Sequence, residues 1–198
     1  MTTKTKAFVD VILSLFIVFI AAALCQLSLP ADGLADMLTT IVSMVVGSLF
    51  LAWRKHLTFP VLDAPLPSIV LAILIAFILN VPIFPVGVES LSSFYEYRIV
   101  GRIVFAILIC LFIPICEEVY FRGFFLKTVS DHFGNSAGVF ITLVVFILMH
   151  LGQEGIFVIT ISGIVYTWLA YRYKNILPAF LAHSTNNILW FISATWKA

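Results

Sequence analysis

Charged residues are scarce in this sequence. Only 11% of its 198 residues are Asp, Glu, Lys or Arg, whereas 62% are hydrophobic. A soluble domain usually carries roughly 25% charged residues, so the composition excludes an ordinary water-soluble fold for the chain as a whole. The formal net charge of +1 gives no reason to expect a nucleic-acid partner. The composition therefore predicts an integral membrane protein.

The sequence also lacks paired cysteines and several motifs of well-known hydrolases. The three cysteines, Cys25, Cys110 and Cys116, lie in apolar runs without a CxxC pair, so we interpret them as packing residues. There is no HExxH motif of the soluble zinc peptidases. No Gly-Ser nucleophile motif pairs with a histidine, and Ser184 and Thr185 beside His183 are interpreted as incidental.

Long apolar runs, by contrast, occur along the whole chain. Polar segments rich in Pro, Gly, Asp and Asn separate them, such as the predicted turn at Asp131–Asn135. Because about 20 residues span a bilayer, the runs predict an all-α, polytopic membrane helix bundle of about seven transmembrane helices in a single domain, 1–198. The predicted segments are Ala7–Leu27, Met37–Trp53, Ser68–Phe84, Ile99–Val129, Ser136–Leu151, Ile156–Tyr171 and Ile176–Ala194.

The basic residues predict an orientation. The first run follows Lys4 and Lys6, and its length favours a retained span over a cleaved signal peptide. With the N-terminus in the cytoplasm, Lys and Arg fall mainly on the inner side, as the positive-inside rule requires. The inner residues are Lys4, Lys6, Arg54, Lys55, Arg122, Lys127, Arg172 and Lys174, and the outer ones are Arg98, Arg102 and Lys197. The outer side also holds Asp32, Asp36, Glu89, Glu96 and Glu154.

Two adjacent carboxylates interrupt the fourth apolar run. Glu118 and Arg122 are four residues apart, so on a helix they share a face and can pair. Glu117 is rotated by about 100° from Glu118 and has no cation at its own i+3 or i+4 position. Glu117 is therefore the better candidate for a general base, although a purely structural ion-pair cluster explains the same residues. Pro114 removes a backbone donor nearby and frees a carbonyl group.

Three further polar residues are predicted at the same depth. We measure depth along each helix from the adjoining predicted turn, at about 1.5 Å per residue. Glu117 lies about 18 Å from its turn and His150 about 21 Å from the same turn, while His183 and Asn187 lie about 13 to 20 Å from theirs. Singly, each is explained equally well as an interhelical hydrogen bond. Together they suit hydrolysis by acyl transfer, in which a carboxylate activates water and a His/Asn pair stabilises an oxyanion. The set Glu117, His150 and His183 also matches the donor types of a catalytic zinc ion.

The ordered motifs resemble one family. EExxxR, FxxxH and HxxxN follow in the order and spacing of the CPBP family, which comprises CAAX prenyl proteases and bacteriocin-processing enzymes and is also called Abi. The residues are Glu117, Glu118 and Arg122, then Phe146 and His150, then His183 and Asn187. The motifs occupy about the C-terminal half, so the resemblance divides the chain into N-terminal spans, 7–98, and a catalytic core, 99–195.

The resemblance implies an intramembrane endopeptidase with its active site between the fourth, fifth and seventh helices. Glu117 would activate water with His150, His183 and Asn187 would stabilise the oxyanion, and Glu118 and Arg122 would be supporting residues. The family is classed with metallopeptidases, yet a metal-free glutamate mechanism is also argued for it, so the cofactor is either a divalent metal such as zinc or none.

The implied partner is a membrane-embedded or lipidated peptide or protein substrate, either CAAX-type or a bacteriocin-like peptide, in the bacterial cytoplasmic membrane. Two alternatives remain. One is a non-enzymatic membrane scaffold or bacteriocin self-immunity protein that uses the same polar cavity. The other is a small transporter, which the concentration of polar residues in the C-terminal half disfavours.

Overall fold

The protein is a bundle of helices. The computed structural model describes residues 2–29, 33–59, 63–79, 97–153 and 155–196. Within these ranges the chain forms seven helices and no strand, so the all-α prediction is confirmed. The helices are α1 (Thr3–Ser28), α2 (Gly33–Trp53), α3 (Leu66–Leu79), α4 (Ile99–Phe133), α5 (Asn135–Met149), α6 (Ile156–Tyr173) and α7 (Leu177–Trp196).

Four of these helices, α1, α2, α4 and α6, are long and apolar enough to cross a bilayer. The apolar helices α3 and α5 are shorter, with 14 and 15 residues. Helix α7 has 20 residues, but the polar run from His183 to Asn187 interrupts it. The membrane character is thereby confirmed, while the number of seven spans stays a prediction. The predicted end of the third segment, Phe84, lies outside the described residues.

The surface of the long helices is apolar, as a bilayer requires. On α1 the side chains of Phe16, Phe19, Ile20 and Leu24 are all exposed. A monomeric soluble protein rarely exposes a continuous apolar patch of this kind. These side chains therefore form a surface suited to lipid tails.

The turn between α4 and α5 is shorter than predicted. The predicted turn at Asp131–Asn135 is too long, because α4 continues to Phe133 and α5 begins at Asn135. The pair formed by Lys127 Nζ and Asp131 Oδ2, 2.7 Å apart and four residues apart on one face, supports this last turn of α4. Gly134 alone reverses the chain at φ +93°, which favours glycine.

Helix α4 lies at the centre of the bundle and packs against α1, α2, α5, α6 and α7. It is not a uniform α-helix, because Leu108–Phe112 and Glu118–Phe125 are π-helical. Pro114 lies between these two wider stretches. Short π-helical segments are frequent at functional sites, and here the second one begins at Glu118.

A buried ion pair joins α1 to the segment after α2. Asp10 is 0% exposed and accepts hydrogen bonds from Arg54 Nε at 2.8 Å and from His56 Nε2 at 3.0 Å. The same end of the bundle brings the ring of His56 within 6.0 Å of the ring of His132. Because α1 begins and α4 ends here, these two helices run antiparallel.

One residue in the predicted charge distribution is not at a membrane surface. Arg122 is fully buried inside the bundle, so it does not belong among the inner basic residues, and seven remain. Lys4, Lys6, Arg54, Lys55, Lys127, Arg172 and Lys174 all belong to the end where α1 begins. The predicted outer residues Asp32, Glu89, Glu96, Glu154 and Lys197 lie outside the described residues. The cytoplasmic N-terminus stays a prediction.

Candidate active site

A buried ion pair forms the base of the site, as the spacing on α4 predicted. Arg122 Nη1 lies 3.0 Å from Glu118 Oε1, and both side chains are 0% exposed. A charge removed from water in this way must be paired and hydrogen-bonded, since its desolvation costs several kcal/mol. Glu118 Oε2 nevertheless has no hydrogen-bond partner within the described ranges.

Helix α6 completes the surroundings of Arg122. Arg122 Nε donates to Thr167 Oγ1 at 3.3 Å, and Nη2 donates to the carbonyl oxygen of Gly163 at 3.4 Å. The guanidinium carbon lies 4.2 Å from the ring centroid of Phe146 on α5. A Cβ atom at Gly163 would lie 2.8 Å from that ring, so glycine is what lets α5 and α6 approach each other here. Arg122 thereby connects three helices.

His183 on α7 joins the same carboxylate. Its Nδ1 lies 2.9 Å from Glu118 Oε1, and because a carboxylate accepts, Nδ1 carries the hydrogen. Its Nε2 then points the other way, 4.0 Å from Glu117 Oε2. The ring of Tyr166 stacks on the imidazole with centroids 4.8 Å apart and an angle of 19° between the planes. The orientation of His183 is therefore fixed by a hydrogen bond and a ring contact.

Glu117 has far fewer contacts than Glu118. It is 6% exposed, and the described residues form no hydrogen bond to its carboxylate. Its nearest basic neighbour is His183, at the 4.0 Å given above, a separation at which a water molecule can bridge the two groups. Glu118 is thus paired and hydrogen-bonded at short range, whereas Glu117 has only this longer contact with His183.

His150 caps the end of α5. Its Nδ1 lies 2.7 Å from the carbonyl oxygen of Phe146, which can only accept, so Nδ1 carries the hydrogen. In the neutral ring Nε2 is then an acceptor, available to a water molecule or a ligand. Its ring also contacts that of Phe146, with centroids 4.2 Å apart.

Two side chains of α7 bind carbonyl groups in the turn of α4 that precedes Pro114. An N–H at position 114 would bond to Cys110 in an α-helix or to Ile109 in a π-helix, but proline has none. Ser184 Oγ donates to the carbonyl oxygen of Cys110, and Asn187 Nδ2 donates to that of Ile109 at 2.9 Å. Ser184, which the sequence did not single out, therefore has a structural role in joining α7 to α4. One hydrogen of the Asn187 amide is engaged in this way, and the other remains available.

The predicted site residues meet at one cavity of about 450 Å³. Glu117, His150, His183 and Asn187 all line it, and they come from three different helices. Glu118 and Arg122 lie behind the wall rather than in it. Tyr166, which the sequence did not single out, also lines the cavity. Helix α2 contributes the remaining side of the wall, including Asp36 and Thr40.

The sequence also allows a divalent metal ion at this site. Glu117, His150 and His183 are of the right chemical types, but no group of three or more His, Cys, Asp or Glu side chains is placed to hold a metal ion among the described residues. The described side chains are therefore not arranged as a metal site.

Comparison with known proteins gives one match. Residues 99–189, just under half of the chain, match the family model described as Rce1-like, type II CAAX prenyl endopeptidase Rce1-like. No curated protein and no solved structure matches the chain. The match confirms the resemblance to the CPBP family drawn from the three motifs and implies a peptidase.

Proposed function

Since residues 99–189 belong to the family of Rce1-like type II CAAX prenyl endopeptidases, we propose that this protein is an intramembrane endopeptidase. Its substrates are membrane-embedded or lipidated peptides and proteins. The observation that carries the proposal is the unpaired Glu117, which is nine-tenths buried and lines the same cavity as His150, His183 and Asn187.

The first step is activation of water by Glu117. The carboxylate takes a proton from a water molecule that also hydrogen-bonds to Nε2 of His150. The water oxygen forms a bond to the carbonyl carbon of the substrate, and the carbonyl electron pair moves onto its oxygen. A carboxylate without a competing hydrogen bond suits this role, because nothing must be broken before it accepts the proton.

The second step is collapse of the tetrahedral intermediate. The second N–H of Asn187 and, in the imidazolium form of His183, its Nε2–H lie on the same wall of the cavity and donate to the negatively charged oxygen. When the carbon–nitrogen bond breaks, the proton held by Glu117 passes to the leaving amine. Glu117 returns to its carboxylate form, so atoms and charges balance without any further reactant.

Glu118 and Arg122 do not line the cavity and act on the reacting groups indirectly. Glu118 accepts a hydrogen bond from Nδ1 of His183, and Arg122 supplies the counter-charge of Glu118 inside the bundle. Removal of either would disturb both the fold and the direction of His183. We therefore regard them as positioning residues rather than catalytic ones.

Cleavage of a prenylated peptide tests the proposal. Purified protein in lipid nanodiscs is incubated with a farnesylated peptide ending in a CAAX sequence and with its unprenylated counterpart, and mass spectrometry locates any cleaved bond. Glu117→Gln should lower the rate by at least about 100-fold. Asp131→Asn, which neutralises a carboxylate at the far end of the bundle, should not change it.

Equal rates in the Glu117→Gln and wild-type proteins would contradict the assignment of Glu117. Treatment with a chelator, together with the metal content of the active protein, distinguishes the glutamate route from a metal-dependent one.

A further inference from the structure

The charge of the cavity wall is one-sided. Asp36 and Glu117 both line it, whereas no Lys or Arg is present among its described lining residues. Asp36 is an exposed residue in the first turn of α2, and it forms no ion pair or side-chain hydrogen bond within the described part of the chain. Glu117 is buried and likewise without a hydrogen bond. Two carboxylates thus face one cavity, together with the imidazoles of His150 and His183 but with no Lys or Arg in its described wall.

Asp36 lies at the mouth of the cavity rather than at its base. Helix α2 begins at Gly33 and α5 ends at Met149, so both elements reach the same end of the bundle. Gly33, Asp36 and the exposed Gln153, which follows α5, line the cavity there. A molecule that reaches Glu117 from this end therefore passes Asp36.

The two ends of the bundle also differ in charge. Lys4, Lys6 and five further basic residues belong to the opposite end, where α1 begins. At the end with the cavity mouth, the basic residues of the described ranges are Arg98 and Arg102, and neither lines the cavity. Of the described residues that line the mouth, Asp36 is the charged one, so the local field at the mouth favours a positive charge.

From this arrangement we infer that Asp36 is a specificity-determining residue, and that the cavity prefers peptides with a basic residue next to the segment that enters it. The inference rests on the proposed function in that the occupant is a peptide. The carboxylate of Asp36 pairs with a lysine or arginine side chain of the peptide at the mouth. An acidic residue at that position is repelled by Asp36 and is bound more weakly.

A binding experiment tests the preference separately from cleavage. The probes are short fluorescent peptides of one apolar sequence, with Lys, Gln or Glu at either terminus. Their dissociation constants for the protein in nanodiscs of neutral lipid are measured by fluorescence anisotropy at low and high salt. The Lys peptides should bind up to about fivefold more tightly than the Gln peptides, as an exposed ion pair allows, and salt should reduce the difference.

Variants assign the preference to Asp36. Asp36→Asn should abolish the difference between the Lys and Gln peptides, and Asp36→Lys should reverse it in favour of the Glu peptides. Asp131→Asn should keep the wild-type preference. Since an acidic residue in a first helical turn also stabilises the helix, unfolding of Asp36→Asn is measured too. A loss of stability alone cannot produce a reversed charge preference in Asp36→Lys.

The outcomes separate this inference from the proposed function. Equal binding of all peptides, absence of binding, or an unchanged preference in Asp36→Asn would overturn the role of Asp36. Cleavage is followed by mass spectrometry in the same samples. A preference that depends on Asp36 without any cleavage would support the cationic subsite and contradict the peptidase, whereas cleavage without a charge preference would do the opposite.

Discussion

Glu118 Oε1 lies 2.9 Å from Nδ1 of His183 and 3.0 Å from Nη1 of Arg122, so a single carboxylate oxygen binds both an imidazole and a guanidinium group. Through this oxygen, the buried ion pair on α4 determines the direction of a ring on α7. The imidazole in turn faces Glu117. The fold and the reacting carboxylate are therefore coupled through one atom.

The first prediction concerns this ion pair. Glu118→Gln leaves the positive charge of Arg122 buried without a counter-charge, so the free energy of unfolding should fall by about 3 to 5 kcal/mol. Unfolding in detergent micelles, followed by tryptophan fluorescence, measures the change. The rate of cleavage should fall as well, because His183 loses a charged acceptor.

A double variant provides the control for Glu118. Glu118→Gln with Arg122→Gln removes both charges, so it should be more stable than the sum of the two single losses indicates. Additive losses would mean that the two side chains do not interact energetically, contrary to their 3.0 Å separation.

The second prediction concerns Ser184. Ser184→Ala removes the donor to the carbonyl oxygen of Cys110 and leaves a buried acceptor unpaired, which should cost about 1 to 3 kcal/mol. The matched control is Ser193→Ala, since Ser193 donates to Trp190 within α7 itself and is exposed. If both variants unfold alike, the contact between α7 and the proline-containing turn of α4 contributes nothing to stability.

The third prediction concerns the close approach of α5 and α6. In Gly163→Ala the new methyl group meets the ring of Phe146, and overpacking of this kind costs about 1 to 3 kcal/mol. Adding Phe146→Leu should restore part of the lost stability, because the smaller side chain makes room. Thermal unfolding of both proteins is the measurement, and an identical melting temperature for Gly163→Ala and wild type would argue against the close contact.

The fourth prediction separates stability from activity. Asp10→Asn weakens two hydrogen bonds to a buried carboxylate, so the free energy of unfolding should fall by about 2 kcal/mol. Cleavage by the folded fraction should be unchanged, since Asp10 does not line the described wall of the cavity. The exposed pair of Lys127 and Asp131 serves as comparison, and Asp131→Asn should change stability by less than about 1 kcal/mol.

Local relationships in the site could be predicted from the sequence. Glu118 and Arg122 are four residues apart on one helix, so the helical period alone predicts their pairing and the different direction of Glu117. The missing N–H of Pro114 likewise follows from its chemistry. The predicted end of α4 at Val129 is too early, because Lys127 pairs with Asp131 across the last turn and the helix continues to Phe133.

Relationships between helices could not be predicted in the same way. The bond from Ser184 to Cys110 depends on which face α7 turns towards α4, and helical period gives only the faces, not their partners. The stacking of Tyr166 on His183 depends on the same rotation. The sequence does contain a signal for this contact. Pro114 leaves a carbonyl group that requires a donor from a facing helix, and Ser184 and Asn187 share a face of α7.

The wall of the cavity comes from separate stretches of the sequence. Glu117, His150 and His183 all follow residue 99. Helix α2 supplies Asp36 and Thr40, which precede the start of α4 at Ile99 by about sixty residues. Substitutions in α2 can therefore alter which molecules fit the cavity while Glu117, His150 and His183 stay in place. In evolutionary terms, the mouth of the cavity is free to diverge faster than the polar side chains inside it.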